Sequence, residues 1–403
     1  MGNLATRLSV SPIKERLRNW TSSIMWTLVA NKARALRCFV VYRFSQNKQS
    51  EESTPIFPPE VVMEILSWLP FKSLMKAQLV SKQWRALIHD HYFIQKHMGQ
   101  SSVVWHWYNV VWPGPSAPID SFSYIHGCDG LLLLRSNCSF KYCVWNPATR
   151  RVLELPDPHS GNYGFVLCYV RATGNYRIVA IYNDQESGRE GCEVFTPGHS
   201  KEWRRITFPR ITTANNGYRF TDRVSVVSAG EAVHCVIVIE VAEGRFERVV
   251  SLDMGTETFT VNYLPEGLTC NRRTTLWNLD WDGKLALVKT VGQNLEVMEL
   301  EDYKKHRWCA NKKVIPLPAM EKGNGGKRKI FPFYAKQGDI WFWLKGEKIF
   351  TYTIKTGQVC EVKQTQTYSL SNKLYPYKPS LVTFEGMVPD TMLEKLRTHL
   401  SFD

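Results

Sequence analysis

Apolar residues recur at helical spacing between residues 55 and 98, and this pattern predicts a compact set of helices. Pro58 and Pro59 favour a helix start, and Pro70 ends the run because proline cannot continue the backbone hydrogen-bond ladder. A second helix is predicted from Ser73, as its N-cap, to Ile88. The first helix carries one apolar stripe, formed by Val61, Val62, Ile65, Leu66 and Leu69. The second carries two, formed by Leu74, Ala77, Ser81, Trp84 and Ile88 on one side and by Val80 and Leu87 on another.

The additional stripe exceeds what a segment of roughly 45 residues can bury by itself. Surplus apolar surface of this kind is typical of a module that docks on a partner protein. Periodicity leaves one alternative open, in which the helices form a subdomain that packs only on the following domain.

The motifs of this segment resemble an F-box in their order and spacing. They are Phe57-Pro58-Pro59-Glu60, Glu64-Ile65-Leu66, Leu69-Pro70, Lys72-Ser73-Leu74, Val80-Ser81-Lys82, Trp84-Arg85 and Leu87-Ile88. The resemblance implies docking on the Skp adaptor of a Skp-cullin-F-box ubiquitin ligase. Phe57 replaces the family's usual leucine and Trp68 a frequent basic residue, and both substitutions keep apolar surface. The adaptor-binding residues that the resemblance implies are Phe57, Pro58, Ile65, Leu66, Leu69, Pro70, Leu74, Val80, Trp84 and Leu87.

From residue 101 to residue 387 the pattern changes to short β-rich runs bounded by Gly, Asn, Asp and Pro. Hydrophobic closing strands recur at intervals of about 50 residues, which favours a kelch-like β-propeller with four-stranded blades. A sheet of this size must hide its edges by closing on itself. Five blades are visible, and the segment from Tyr375 to Phe384, with a strand around residues 380–384, is predicted to pair with a strand around residues 103–107 and complete a sixth. A pair of β-sandwiches is the alternative architecture.

The same region resembles the plant F-box-associated domain. The matching motifs are Asp129-Gly130-Leu131-Leu132, Val144-Trp145-Asn146-Pro147-Ala148-Thr149, Leu155-Pro156, Cys192-Glu193-Val194-Phe195, Trp203-Arg204 and Pro379-Ser380-Leu381-Val382. We therefore predict an α+β multidomain chain, in which a small all-α helical module precedes an all-β kelch-like propeller of five or six blades. The predicted domains are a basic extension and linker (1–54), an F-box (55–98), a target-binding β domain (99–388) and a helical tail (389–403).

The composition, with 44% hydrophobic residues among 403, is that of a folded soluble protein of two or three domains. Ten cysteines without regular spacing indicate reduced thiols, and hence the cytoplasm and/or the nucleus. The net charge of +14 is concentrated in residues 1–50, where nine Lys or Arg stand against Glu15 alone. Because the rest of the chain shows no basic stripe with interleaved aromatics, no nucleic-acid binding is predicted.

The first residues fit the short N-myristoylation pattern, which makes Gly2 a lipidation candidate with basic residues close behind it. The apolar stretch 20–44 is interrupted by Lys and Arg, so no transmembrane helix is predicted. A solvated or loosely helical extension is favoured, while a peripheral membrane anchor and a targeting segment are the alternatives. Membrane association is therefore not the expected outcome.

The chain lacks the sequence motifs of phosphate-binding loops, zinc proteases and paired CxxC zinc sites. Cys128, Cys138 and Cys143, with His126 nearby, come closest to a metal cluster, but their spacing favours buried core thiols. We expect no metal, no cofactor and no catalytic residues.

We therefore predict a non-catalytic target receptor, which binds the Skp adaptor, and through it cullin, by its helical module. An unidentified target protein would bind the β domain, where Trp105, Trp107 and Trp112 are candidate contact residues because aromatics in propeller loops suit recognition. One alternative is an F-box scaffold or membrane-anchored adaptor that acts without cullin. A copper enzyme of the galactose-oxidase type is a second alternative, and it would need converging Tyr and His ligands.

Overall fold

The chain divides into two compact units. One comprises the described residues up to Val104 together with Lys378–Val382, and the other runs from Trp105 to Tyr377 and continues from Thr383. We call them the helical unit and the β unit. The computed structural model describes residues 58–100, 104–107, 122–137, 139–159, 162–183, 190–209, 226–241, 244–265, 268, 276–291, 294–316, 330–336, 338–344, 348–362 and 374–390.

The helical unit is formed by short helices whose ends are set by proline and serine. Pro59 stands in the first turn of the first helix, where no backbone donor is required. Ser81 caps the third helix, because its Oγ accepts a hydrogen bond from the Trp84 backbone N–H at 3.0 Å. The helices are α1 (Pro59–Ser67), α2 (Phe71–Ala77), α3 (Lys82–Ile88) and α4 (His91–Gln100).

The prediction of one second helix from Ser73 to Ile88 is wrong. Ser73 lies inside α2, which begins at Phe71, and the chain leaves the helix after Ala77. Ser81 then adopts an extended backbone (φ −157°, ψ 160°) and starts α3. A serine in a helical stripe competes for backbone hydrogen bonds, and here it acts as a cap instead of continuing the helix.

The helices of this unit enclose an apolar core cluster. A residue from far along the chain, Leu381, belongs to the cluster and is only 7% exposed. At the edge of the unit, the Glu64 carboxylate accepts hydrogen bonds from Trp68 Nε1 at 3.0 Å and from Lys96 Nζ. The buried members of the cluster are Val62, Leu66, Leu69, Leu74, Ala77, Ile88, Phe93 and Leu381.

The β unit consists of antiparallel groups in which strands consecutive in sequence are neighbours in the sheet. The first group contains β2 (Phe122–Cys128), β3 (Leu131–Ser136), β4 (Tyr142–Asn146) and β5 (Arg151–Glu154). The second contains β6 (Asn162–Val170), β7 (Asn175–Asn183), β8 (Glu190–Phe195) and β9 (Arg204–Ile206). The third contains β10 (Val226–Ala229), β11 (Ala232–Val241), β12 (Gly244–Asp253) and β13 (Phe259–Tyr263).

Two further groups are joined by a short parallel contact between Trp281 and Ala335. The fourth contains β14 (Leu276–Trp281), β15 (Lys284–Val291), β16 (Asn294–Asp302) and β17 (Arg307–Trp308), with β18 (Lys313–Pro316) also pairing with β16. The fifth contains β19 (Ile330–Lys336), β20 (Asp339–Leu344), β21 (Lys348–Thr353) and β22 (Gln358–Glu361). This succession of four-stranded groups agrees with the predicted repeat, while the number of blades stays a prediction.

The ends of the β unit pair partly as predicted. The strand β1 (Val104–Trp107) pairs with β23 (Leu374–Tyr377), as expected for residues 375–377, but the predicted strand at residues 380–384 is wrong. That segment is irregular because Leu381 packs in the helical core instead of a sheet. A later strand, β24 (Val388–Pro389), pairs with β5, so Pro389, predicted to open a helical tail, lies in a strand. Residues 391–403 lie outside the described residues.

Neighbouring groups pack through shared apolar clusters. One cluster combines residues of the second and third groups, and another combines residues of the fourth and fifth. Side chains from adjacent sheet faces interlock here, as in other sheet-on-sheet cores. Buried members of the first cluster include Val166, Val179, Val194, Val233, Ile237 and Leu252. Buried members of the second include Leu279, Val288, Val297, Ile340 and Phe342.

Polar contacts also connect successive groups at their hairpin turns. The Tyr176 hydroxyl donates to Asp129 Oδ2 at 3.1 Å, and the Tyr303 hydroxyl donates to Asp253 Oδ2 at 2.8 Å. The Arg177 guanidinium donates to the Met254 carbonyl oxygen at 2.9 Å and so connects the second group to the third. Charge-assisted and phenolic hydrogen bonds of this kind fix the relative register of neighbouring groups.

We expect acid to destabilise the β unit through His234. Its side chain is 3% exposed, and its Nδ1 lies 2.8 Å from Ser251 Oγ. Burial lowers the pKa of His234 to about 4 from its ordinary 6.5. The unfolded chain therefore binds a proton between these values that the folded chain does not, so stability falls as pH falls through this window.

Between pH 7 and pH 4.5 this histidine should account for about 2 kcal/mol of lost unfolding free energy. Denaturant unfolding of the wild type and of His234→Gln at both pH values measures the difference. The variant should show the smaller pH dependence, and equal pH dependence in both proteins would refute the assignment.

Candidate functional site

The residues predicted to contact an adaptor occupy three different environments in the helical unit. Leu66, Leu69 and Leu74 are buried, with exposures of 0%, 4% and 0%, and form its internal core. Pro58 and Pro70 are exposed at the starts of α1 and α2. Phe57 lies outside the described residues. The partly exposed members of the set are Ile65, Val80, Trp84 and Leu87.

The partly exposed set contributes both to the core and to the surface. Trp84 and Leu87 pack against the buried cluster from α3, so the structure brings them together with Leu66 and Leu74. Ile65 and Val80 retain accessible surface without belonging to that cluster. A bound partner could therefore cover the outer parts of these side chains while the inner parts stabilise the helical unit.

Sequence reasoning missed two exposed apolar side chains of this unit. Leu79 is 79% exposed in the turn after α2, and Met75, four residues earlier, is 36% exposed. Backbone hydrogen bonds three residues back, from the Leu79 N–H to the Lys76 carbonyl oxygen at 3.0 Å and from the Val80 N–H to the Ala77 carbonyl oxygen at 3.1 Å, continue the chain in tight turns after α2. The exposed amines of Lys72 and Lys76 are carried by the same helix. We call Met75, Leu79 and Val80 the Leu79 surface.

Leu381 is a second residue that sequence reasoning placed elsewhere. The motif Pro379-Ser380-Leu381-Val382 was assigned to the β domain, but the segment Lys378–Val382 belongs to the helical unit. Leu381 and Val382 are 7% and 5% exposed. No local pattern reveals a contact between residues about three hundred positions apart, because sequence periodicity reports only short-range neighbours.

The residues predicted to contact a target are only partly covered by the structure. Trp105 and Trp107 lie on β1, which pairs with β23. Trp112 and the lipidation candidate Gly2 lie outside the described residues. These assignments stay predictions.

The thiols of the described residues are free, and four of them are buried, at Cys143, Cys168, Cys192 and Cys235. Burial raises the pKa of the Cys143 thiol to about 12, which keeps it protonated and unreactive at neutral pH. Cys138, part of the weak metal candidate, is outside the described part of the chain. Within that part, no group of three or more His, Cys, Asp or Glu side chains is arranged to hold a metal.

No helix among the described residues is long and apolar enough to cross a membrane.

Two family models match the chain in the regions of the two units. The model of the F-box domain matches residues 55–96, and that of the F-box associated beta propeller domain matches residues 91–372. A small helical module followed by a β-propeller domain defines the class, and the chain belongs to the F-box proteins with an F-box-associated β-propeller. The predicted fold class is confirmed at this level.

The curated relatives place it more narrowly among plant F-box proteins. One F-box protein of Arabidopsis thaliana is 28% identical over 280 residues, covering 62% of this chain and 87% of its own length. A second is 26% identical over 312 residues, covering 67% of this chain and 74% of its own. Proteins with this pair of domains are typically target adaptors rather than enzymes.

Among solved structures, the acylaminoacyl peptidase of Pyrococcus horikoshii is similar with a TM-score of 0.38 and 11% identity. The similarity covers 68% of this chain and 46% of the peptidase. A TM-score this low is below the level at which a shared fold is inferred.

Proposed function

We propose that this protein is the target-binding subunit of a Skp-cullin-F-box ubiquitin ligase. The helical unit docks on a Skp adaptor, which connects the chain to cullin, and the β unit holds a target protein whose lysines are then ubiquitinated by other subunits. The chain itself forms and breaks no bond. The matching F-box model and the propeller model behind it support this division of roles.

The observation that carries the proposal is the Leu79 surface. The helical unit already has an internal core, which contains Leu66, Leu69 and Leu74. The side chain of Leu79 is 79% exposed and is not part of that core. Covering a large apolar side chain with a partner is favourable, because it removes that surface from water. The helix that precedes Leu79 carries the exposed basic side chains of Lys72 and Lys76, which favour a partner with acidic groups.

Replacing Leu79 by serine should weaken binding of a Skp adaptor by roughly thirtyfold, because burying a leucine contributes about 2 kcal/mol. Isothermal titration of the full chain with a plant Skp adaptor measures the affinity. The folded chain should melt as the wild type does, since the side chain makes little contact within the protein.

The matched control is Val314→Ser, which removes another apolar side chain, 51% exposed, from the β unit. Its adaptor affinity should equal that of the wild type. If Leu79→Ser binds the adaptor with wild-type affinity, the Leu79 surface is not part of the docking interface.

We further propose that the protein acts in the cytoplasm or nucleus, where Skp-cullin-F-box ligases can assemble, and that it binds neither nucleic acid nor a membrane. Co-purification distinguishes the ligase subunit from a scaffold that acts without cullin. Cullin should be recovered with the wild-type chain, and much less cullin and adaptor should be recovered with Leu79→Ser.

A further inference from the structure

The hairpin that joins β3 to β4 holds an exposed aromatic residue in a fixed position. The Ser136 backbone N–H donates to the Lys141 carbonyl oxygen at 2.8 Å, and the Ser139 N–H donates to Ser136 Oγ at 3.1 Å. The Ser123 hydroxyl, on β2, donates to Asn137 Oδ1 at 2.6 Å. These bonds define the end of the hairpin on which Phe140 stands.

Phe140 combines two unfavourable properties. Its φ of 57° is in the left-handed region, which bulky residues rarely adopt. Its ring is 60% exposed, so burial does not offset the backbone strain. Strained, exposed residues of this kind are concentrated at sites of recognition and function.

The Arg135 guanidinium lies against this ring and a second one. Its Cζ is 4.9 Å from the ring centroid of Phe140 and 5.8 Å from that of Tyr142. Asp157, whose charge also acts on Tyr142, pairs with Lys141 at 2.7 Å instead. Among the described residues, Arg135 therefore has aromatic contacts and no carboxylate partner. We call Arg135, Phe140 and Tyr142 the Arg135 cluster.

The cluster packs on rings of the second strand group, of which Phe165 is buried and Trp203 is half-buried. Tyr142 packs on Phe165 with ring centroids 4.7 Å apart, and Phe165 lies 6.2 Å from Trp203 in an edge-to-face arrangement. The Trp203 Nε1–H donates to the Pro156 carbonyl oxygen at 2.9 Å. Side chains held in this way lose little conformational entropy when a partner binds.

We propose that the Arg135 cluster is a target-contact site and takes a protein segment in which a carboxylate stands beside an apolar side chain. The guanidinium can form two parallel hydrogen bonds with a carboxylate while its faces stay against the rings. Phe140 offers the adjacent apolar contact. Buried or stacked arginine and aromatic side chains supply most of the binding energy in many interfaces. The inference rests on the proposed function, since it names the kind of target that the β unit recognises.

The test uses a displayed library of random peptides selected on the purified full chain. Enriched peptides should carry Asp or Glu next to an apolar residue, and Arg135→Gln should weaken their binding by about tenfold or more. The matched control is Arg171→Gln, which removes an exposed arginine from the turn after β6 and should bind them like the wild type.

A double-substitution cycle tests whether Arg135 pairs with the carboxylate of the peptide. Replacing the peptide's carboxylate by its amide should weaken binding to the wild type by about tenfold but change binding to Arg135→Gln little, because the partner charge is already absent. Equal losses with both proteins, a library without an acidic preference, or a library that yields no binder would overturn the proposal. The adaptor titration with Leu79→Ser involves none of these residues. A failure of the proposed function would therefore be seen in that titration, and a failure of the present inference in the peptide experiments.

Phe140→Asn distinguishes recognition from a structural role. Asparagine tolerates the left-handed conformation, so this variant should melt at the wild-type temperature or above it while it loses affinity for the selected peptides. A lower melting temperature together with unchanged peptide affinity would mean that Phe140 stabilises the hairpin and does not contact a target.

Discussion

A chain carrying Leu66→Ala and Leu69→Ala should lose its folded helical unit while the β unit stays intact. Both leucines are buried in the core of the helical unit, at 0% and 4% exposure. Each truncation costs about 2–5 kcal/mol through lost burial and a remaining cavity. A unit this small has too little stability to survive both losses.

Hydrogen exchange measured by mass spectrometry resolves the two units in one experiment. In the double variant, peptides from residues 59–100 should exchange as an unfolded chain, and peptides from β6 to β8 should keep wild-type protection. Adaptor binding should be lost as a consequence. Leu79→Ser is the matched control, because it should lose adaptor affinity with protection of α1 to α4 unchanged. Native protection of the helices in the double variant would show that these leucines serve the interface and not the core.

Ending the chain at Lys378 should destabilise both units. The cut removes Leu381 from the helical core and removes β24, which covers the edge of β5. It also removes Asp390, which is 5% exposed and whose backbone N–H donates to the Arg150 carbonyl oxygen at 3.0 Å. Loss of one buried leucine costs about 2–5 kcal/mol, and the uncovered sheet edge favours aggregation.

Limited proteolysis and thermal melting measure the effect. A chain ending at Thr391 is the control, because it keeps every described residue of the C-terminal segment and should behave as the full chain. Leu381→Ala separates the two contributions, since it should weaken protection of the helical unit alone. A chain ending at Lys378 that melts with the full chain would contradict the role given to this segment.

The local elements of both units could be predicted from the sequence because they depend on neighbouring residues. The proline positions and the apolar stripe predicted α1, and the β-rich runs predicted most strands of the first and second groups. The Asp129-Gly130 pair, one of the family motifs, is a tight turn between β2 and β3 with φ values of 49° and 79°. The predicted position of Ser81 inside a helix is wrong, because a serine at helical spacing can equally be the N-cap of the next helix.

The candidate site could be predicted only in part, because burial depends on the tertiary structure. Leu66 and Leu69 belong to an apolar stripe, and the spacing of such a stripe is the same whether it faces a core or a partner. The exposure of Leu79 and the stacking of Arg135 on Phe140 become visible only once the chain is folded. The packing of Leu381 in the helical core depends on a contact between residues about three hundred positions apart, which no periodic pattern encodes.

The assembly that we propose, of this chain with a Skp adaptor and cullin through its helical unit, can be identified by its mass. Purified full chain, plant Skp adaptor and cullin are mixed and analysed by size-exclusion chromatography with light scattering. We predict one species with the summed mass of one copy of each, and a smaller share of this species when Leu79→Ser is mixed at the same concentrations. A wild-type chain that elutes alone, with adaptor and cullin in a separate peak, would overturn the proposed function.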